Sequence, residues 1–352
     1  MPDAVVVERA GLACLTDFGR AGRAHLGVSV NGAADRYSAR TANVLVGNSD
    51  GAPLIEVTGS SLGVRARQPL LVAATGAVDR VLLDGVPAPV GEPLVVPAGC
   101  RIDLDPAEHG YRSYLAVNGV LGAAPVLGSV APDPLLGIGQ LLSTGAVVCL
   151  QSRFTGLDHP FSRVPLFRLS APDTTLGGGE LEVDVTPGPD VGEFGGAPGQ
   201  LLPGSFTVTP QSDHIGLRLT GPVPRRTVSS EILSRGVPVG AVEVPPGAGL
   251  IVLLRGRFTT AGYPLLAVVT AQSIDRLGQV RPGSTLRFRT RTVDEAVSAL
   301  RADEQRLNAL AGRVRTALTA TGLGAVLAEG HLGRRGGRRT DTSAAGHSPA
   351  GR

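Results

Sequence analysis

The chain has 352 residues, enough for two domains of ordinary size, and is 42% hydrophobic with 3% aromatics and no Trp, so its core must be built of Val, Leu, Ile and Ala. All 33 basic residues are Arg, which excludes a Walker lysine, a Schiff-base lysine and a biotinyl-lysine on this polypeptide. The formal charge of +3 belongs to the tail: residues 331–352 hold +4 and leave −1 for the body, which is no electrostatic footprint for nucleic acid.

No apolar run reaches the roughly 18 residues that span a bilayer. The opening MPDAVVVERAG has no basic segment followed by an apolar one, so a cytoplasmic chain with no membrane contact is expected. Cys14, Cys100 and Cys149 each sit in an apolar, strand-like stretch and are read as buried thiols outside disulfides, as in a reducing compartment. The histidines show no metal-ligand spacing, and no metal site is expected.

In chain order, the first feature is Asp17 to Asn48, DFGRAGRAHLGVSVNGAADRYSARTANVLVGN. Glycines at 19, 22, 27 and 32 punctuate a loop carrying Asp17, Arg20, Arg23, His25, Ser29, Asn31 and Asp35. Such a loop on an apolar scaffold binds or reacts with something, or else is an ordered loop whose polar groups satisfy one another. It runs into a helix expected over Ala34 to Val46. Strands follow at 54–59, 69–76, 78–85, 91–99, 100–104, 111–119 and 146–151, with Asp84-Gly85 as a hairpin corner. Residues 1–155 are therefore read as a first β-barrel half.

Pro160, Pro165 and Pro172 mark a connection over 152–178. A second strand series occupies a second half at 165–291, with strands at 181–188, 204–210, 215–221, 241–246, 250–256, 263–270 and 284–291. Ser273 is expected to cap a short helix, IDRLGQ. The strongest helix signal covers 292–320: Thr292 and Glu295 match a capping box, and Val293, Val297, Leu300, Leu307 and Leu310 recur at helical spacing. Residues 325–352, rich in Arg, are read as a disordered tail. The fold class is mainly β: two β-barrel halves, few short helices and a C-terminal helix.

A second polar cluster lies in the second half. QSDHIGLRLTG at 211–221 sets Ser212, Asp213 and His214 before a strand bearing Arg218, Glu231 follows, and RFTTAGYP supplies Thr259, Thr260 and Tyr263. Hydroxyls and backbone N–H groups in one turn suit a carboxylate, a ureido group or a phosphate; the alternative is a β-turn whose hydroxyls cap its own backbone. Arg218, flanked by Leu217 and Leu219, points opposite to them, as an anion anchor or a partner of Asp213 or Glu231. Asp213-His214 looks like half a catalytic triad, but no G-x-S-x-G elbow supports a serine hydrolase.

Both clusters, with IEVTG, DGVP, YRSYLAVNGV, LGS, TPGPD, SSEILSRGVPVGAVEVPP and RPGSTLRF between and after them, resemble the biotin-dependent carboxyltransferase-like family, also described as allophanate hydrolase subunit 2. That family includes the C component of the bacterial ATP-dependent 5-oxoprolinase, KipA-type regulators and a part of urea carboxylase. The resemblance implies two cyclophilin-like β-barrel halves. It implies a partner of the KipI kind, equivalent to the B component of 5-oxoprolinase, and an additional partner like its A component. It also implies ATP handled through the complex, with no covalent biotin on this chain. The implied activity is opening of 5-oxoproline to glutamate with ATP and water. The alternatives are a KipA-type regulator of a KipI-like kinase inhibitor, or a carboxyltransferase component of a urea or allophanate pathway.

On this resemblance Asp35, His25 and Asp213 are the candidate catalytic residues. Ser29, Asn31, Arg218, Glu231, Thr259, Thr260 and Tyr263 are the candidate contacts to substrate or nucleotide. The family pattern carries Gln at the position of Glu243, Asp at Gly256, Gln at Phe258, Gly at Ala261 and Met at Ile215. It continues LGS with Arg-Ser-Thr where this chain reads Val130-Ala131-Pro132. Loss of polar groups at 256 and 258 is expected to alter the standard activity. An Asp35→Ala change is expected to hurt ligand handling more than folding.

Overall fold

Alternation of apolar and polar side chains lays down the strands of this computed structural model, which describes residues 1–139, 141–152, 154–156, 168–169, 171–172, 176–196, 200 and 202–327. Leu181–Pro187 shows the rule: Leu181, Val183 and Val185 are buried, while Glu182, Asp184 and Thr186 between them are not. Pro160 and Pro165 of the expected connection, and the tail from 328 onward, lie outside the described residues.

The first half encloses its core between two sheets. One runs, in spatial order, Val120–Gly122, Val147–Gln151, Asp3–Arg9, Leu62–Ala66, Arg101–Pro106, Val78–Leu83 and Val86–Ala88. The other runs Ala13–Thr16, Leu54–Thr58, Arg112–Val117, Leu70–Gly76 and Leu94–Val96. Val5, Val7, Ile55, Val57, Leu62 and Val72 are among the residues that meet between them. Asp84 and Gly85 both have positive φ, 48° and 81°, as the tight hairpin joining Val78–Leu83 to Val86–Ala88 requires.

The second half is a closed seven-stranded barrel, ordered Leu181–Pro187, Leu265–Val269, Ala241–Glu243, Leu250–Leu253, Gly216–Thr220, Phe206–Val208 and Thr285–Thr290. A parallel pairing of its first and last strands closes it. The mainly β architecture expected from the sequence is what forms.

Three α-helices are described along their whole length. Helix α1 (Arg36–Leu45) starts two residues later than its apolar pattern suggested, because Asp35 is its N-cap. Helix α2 (Ala271–Leu277) corrects the expected cap. Thr270, directly after a strand, receives the Ser273 N–H at 3.4 Å, while Ser273 Oγ inside the helix accepts the Asp184 N–H. Helix α3 (Val293–Ala320) has the reciprocal Thr292/Glu295 capping box expected for it. Its apolar stripe divides: Leu307 is buried and Leu310, Val314 and Leu318 pack with α1 against the first half, while Val293, Val297 and Leu300 face outward.

The two halves meet where α1 begins and α2 ends. Gln279 Oε1 accepts the N–H groups of Tyr111 and Arg112, and Arg112 donates to the Gly278 carbonyl. A Cβ at Gly278 would lie 2.5 Å from the carbonyl carbon and oxygen of Ala34, so the backbones touch there. Gly278→Ala is expected to push the halves apart and cost about 1–3 kcal/mol. A urea unfolding midpoint equal to that of the parent chain would refute this close-contact role.

Candidate functional site

Much of the Asp17–Asp35 loop is held by its own polar groups. The Asp17 carboxylate accepts the Gly19 N–H (2.7 Å), the Val130 N–H (2.9 Å) and the Ser129 hydroxyl. Arg20 is only 1% exposed and donates to the carbonyls of Val126 (3.0 Å) and Ala131 (2.7 Å). Asn31 sits in the left-handed region at φ 52° and donates to Asp133 Oδ2 at 2.8 Å. These bonds fasten the loop to residues 126–133. Ser29 and Asn31 also reach the second half: Ser29 Oγ donates to the Arg257 carbonyl (2.6 Å), and the Asn31 N–H to that of Arg255 (2.9 Å). His25 stands on an exposed 3-10 turn, Ala24–Leu26.

Asp35 lies at the junction of the halves. Its carboxylate accepts the Ser38 N–H (3.0 Å) and hydroxyl, and the Gln279 amide at 2.8 Å. Its own N–H donates to the Tyr114 hydroxyl at 2.9 Å, which donates in turn to Glu56. Asp275 is close by, accepting from the Arg36 N–H (3.0 Å) and from Arg255 (2.8 Å). Burial, then the charge of Asp275, pushes the Asp35 pKa up; burial also raises that of Asp275. Both carboxylates line a cleft of about 300 Å³ together with Tyr37, Ser38, Gln272 and Gln279.

A second cavity, of about 390 Å³, opens on the outer face of the barrel. Cross-strand pairing sets Arg218 opposite Ile251 and Ile251 opposite Glu243, so the three stand in a row on one face. Leu217 and Leu219 point into the barrel core, which turns Arg218 outward as the alternation predicts. The segment after the strand Leu250–Leu253 folds back over this row and pairs through Thr260–Ala261 with Arg235–Gly236. It brings Phe258, Thr260 and Tyr263 to the cavity wall. Asp213 completes the wall, with its Oδ1 accepting the N–H groups of Ile215 (2.8 Å) and Gly216 (3.1 Å).

Of the residues singled out in the sequence, this cavity gathers Asp213, Arg218, Thr260 and Tyr263. Thr259 is adjacent, its carbonyl accepting the Val237 N–H. Glu231 is exposed and does not line the cavity, Asp35 lines the other cleft, and His25 lines neither. Ser29 and Asn31 line neither cavity: Ser29 bonds to the Arg257 carbonyl, and Asn31 lies against Gly256. A Cβ there would meet His214 Cδ2 at 2.4 Å and Asn31 Oδ1 at 3.1 Å, and the buried His214 Nε2 has no partner among the described residues.

Glu243 belongs to the wall and was not among the candidate site residues. It is 3% exposed, its Oε1 is buried without a hydrogen-bond partner among the described residues, and burial pushes its pKa up to about 7. The alternation in AVEVPP shows only that Glu243 faces away from the barrel core; the Phe258–Tyr263 segment that shares the cavity wall with it comes after the next strand, and no local spacing brings the two together. The departures from the family pattern concentrate here, since Ile215, Glu243, Phe258 and Ala261 all line this one cavity.

Residues 26–290 match the family model of the carboxyltransferase domain, subdomains A and B. The chain belongs to that carboxyltransferase family. Over 302 residues this carboxyltransferase-family chain is 34% identical to the C subunit of 5-oxoprolinase from Escherichia coli (strain K12), covering 85% of this chain and 95% of that protein. The crystal structure of TTHA0988 superposes with a TM-score of 0.69 at 34% identity, over 82% of this chain and 55% of that one. Urea carboxylase of Kluyveromyces lactis has the same fold over 88% of this chain, with a TM-score of 0.77 at 23% identity, and the match covers 29% of its own length. The chain thus spans about half of TTHA0988 and under a third of the urea carboxylase. Among the described residues no His, Cys, Asp or Glu cluster is arranged to hold a metal, and no helix is long and apolar enough to cross a membrane.

Proposed function

We propose that this chain is the C component of an ATP-dependent 5-oxoprolinase complex, which opens 5-oxoproline to glutamate, and that the cavity on the outer barrel face binds the lactam acid. The observation that carries this reading is the convergence of Asp213, Arg218, Thr260 and Tyr263 on one cavity of small-molecule size. Similarity over 95% of the length of a protein named as the C subunit of 5-oxoprolinase supports it. The Arg218 guanidinium has no ion-pair partner among the described residues, so its planar fork is available for the substrate carboxylate. ATP and the groups that handle it come from the partner proteins, of the B-like and A-like kinds. Leu233 at 84%, Phe258 at 58% and Tyr263 at 42% exposure give this side of the barrel an apolar surface suited to a partner.

The test is 5-oxoproline-dependent ADP release by the chain assembled with its B-like and A-like partners. Arg218→Ala is expected to raise KM for 5-oxoproline about tenfold or more, with the melting temperature unchanged, as for loss of a charge-assisted bond near a surface. Absence of 5-oxoproline-dependent turnover with all partners present defeats the reading. The exposed Phe258 on the cavity wall favours one second reading, a KipA-type regulator, for which the same assembly forms a tight complex and does not turn over.

A further inference from the structure

We infer that Glu243 is the residue that selects a lactam in this cavity, its neutral carboxyl pairing with the ring amide through two hydrogen bonds while Arg218 holds the substrate carboxylate; this rests on the function proposed above. The geometry begins with the row Arg218, Ile251, Glu243 on three neighbouring strands. Adjacent strands are about 4.8 Å apart, so the backbones bearing the cation and the carboxyl are roughly 10 Å apart. Ile251 between them gives an apolar floor, and the cavity occupies the space above it. An acidic group and a basic group that do not neutralise each other, at the two ends of a small cavity, match a ligand with an anionic end and a polar neutral end.

The ring of a lactam locks its amide in the cis form, so its N–H and C=O point the same way. A neutral carboxyl offers an O–H donor and a C=O acceptor side by side and satisfies both at once. An ionised carboxylate only accepts; it would take the N–H but face the carbonyl oxygen with like charge. A lactone of the same shape lacks the N–H and would leave the buried Oε1 without a partner. The charged or titratable groups facing the cavity with Glu243 are Arg218, Asp213 and Tyr263. The flanking strands add Ile251, Leu253 and Leu265, and Arg235 of the covering ribbon is ion-paired with Asp190. Burial without a compensating charge holds the Glu243 carboxyl near pH 7, so its neutral form is populated where the protein works.

The experiment is calorimetric titration of the assembled complex, with a non-hydrolysable ATP analogue present so that nothing turns over. The probes are 5-oxoproline and its lactone analogue, 5-oxotetrahydrofuran-2-carboxylate. For a carboxyl titrating near 7, the parent is expected to bind 5-oxoproline about tenfold more tightly at pH 6 than at pH 8, and to bind the lactone weakly at both. Gln is a permanently neutral donor and acceptor pair, so Glu243→Gln is expected to retain the pH 6 affinity at pH 8. Glu243→Leu is expected to lose tenfold or more in 5-oxoproline affinity and to lose the preference over the lactone. A Gln variant that keeps the parental pH profile, or a Leu variant that binds as the parent does, overturns the role of Glu243. If the parent complex still turns over 5-oxoproline in that event, the proposed function stands. If it neither binds nor turns over 5-oxoproline, both fall.

Discussion

Asp35→Ala is expected to lower folding stability by about 2–4 kcal/mol, combining loss of a helix cap with buried donors left unpaired. Ser38 at the start of α1 would lose the acceptor for its N–H and its hydroxyl. Gln279, from the other half of the molecule, would lose one of the two acceptors of its amide. Because Asp35 ties α1 to the end of α2, the loss falls on the junction of the halves as well as on one helix. Burial and Asp275 raise its folded pKa, so its favourable contribution is complete in the neutral form and fades as pH rises through that raised value. The destabilisation should therefore be larger at pH 5 than at pH 8. Chemical unfolding at the two pH values measures both quantities, and a variant as stable as its parent that fails only in turnover would refute this ranking. The geometry reverses the expectation drawn from the loop sequence, that Asp35 matters more to ligand than to fold.

That reversal shows which parts of the molecule are local enough to be read from a sequence. The hairpin at Asp84-Gly85 and the Thr292/Glu295 box depend on residues no more than three apart, and both form as the residue types require. Strand positions follow from alternation, another local rule. The partners of Asp35 are different in kind: Gln279 is 244 residues away, and no spacing announces it. The same limit applies to α3, whose stripe from Val293 to Leu318 is continuous in sequence but is buried only from Leu307 onward and joins the core of the first half only from Leu310. In the cavity, Asp213 and Arg218 come from one short segment and Thr260 and Tyr263 from another, so each pair was visible as a motif. Glu243 was not, because no local spacing announces its burial, its lack of a partner or the cavity wall it shares with the Phe258–Tyr263 segment.

Glu243→Gln is expected to stabilise the isolated chain at pH 8 by up to about 3 kcal/mol, following from a pKa near 7 in place of an ordinary glutamate value. Burial is the cause, and it disfavours the ionised form. The carboxyl therefore adds its full stabilising share below the unfolded-state pKa, loses it as pH rises through about 7, and above that burdens the fold with a buried, uncompensated charge. Gln carries no such burden, so its advantage should be largest at pH 8 and fall to about 1 kcal/mol at pH 5. Thermal melts at the two pH values decide it; an equal shift at both, or a loss at pH 8, would show that Glu243 has a partner when folded. A buried carboxyl that weakens the fold at the pH of function is hard to explain by packing, since the isosteric amide fits the same space. Its position on a cavity wall, in a row with an Arg218 that has no ion pair among the described residues, gives it a purpose that stability does not. The same substitution thus separates the two contributions: it should strengthen the fold at pH 8 while erasing the pH dependence of 5-oxoproline binding.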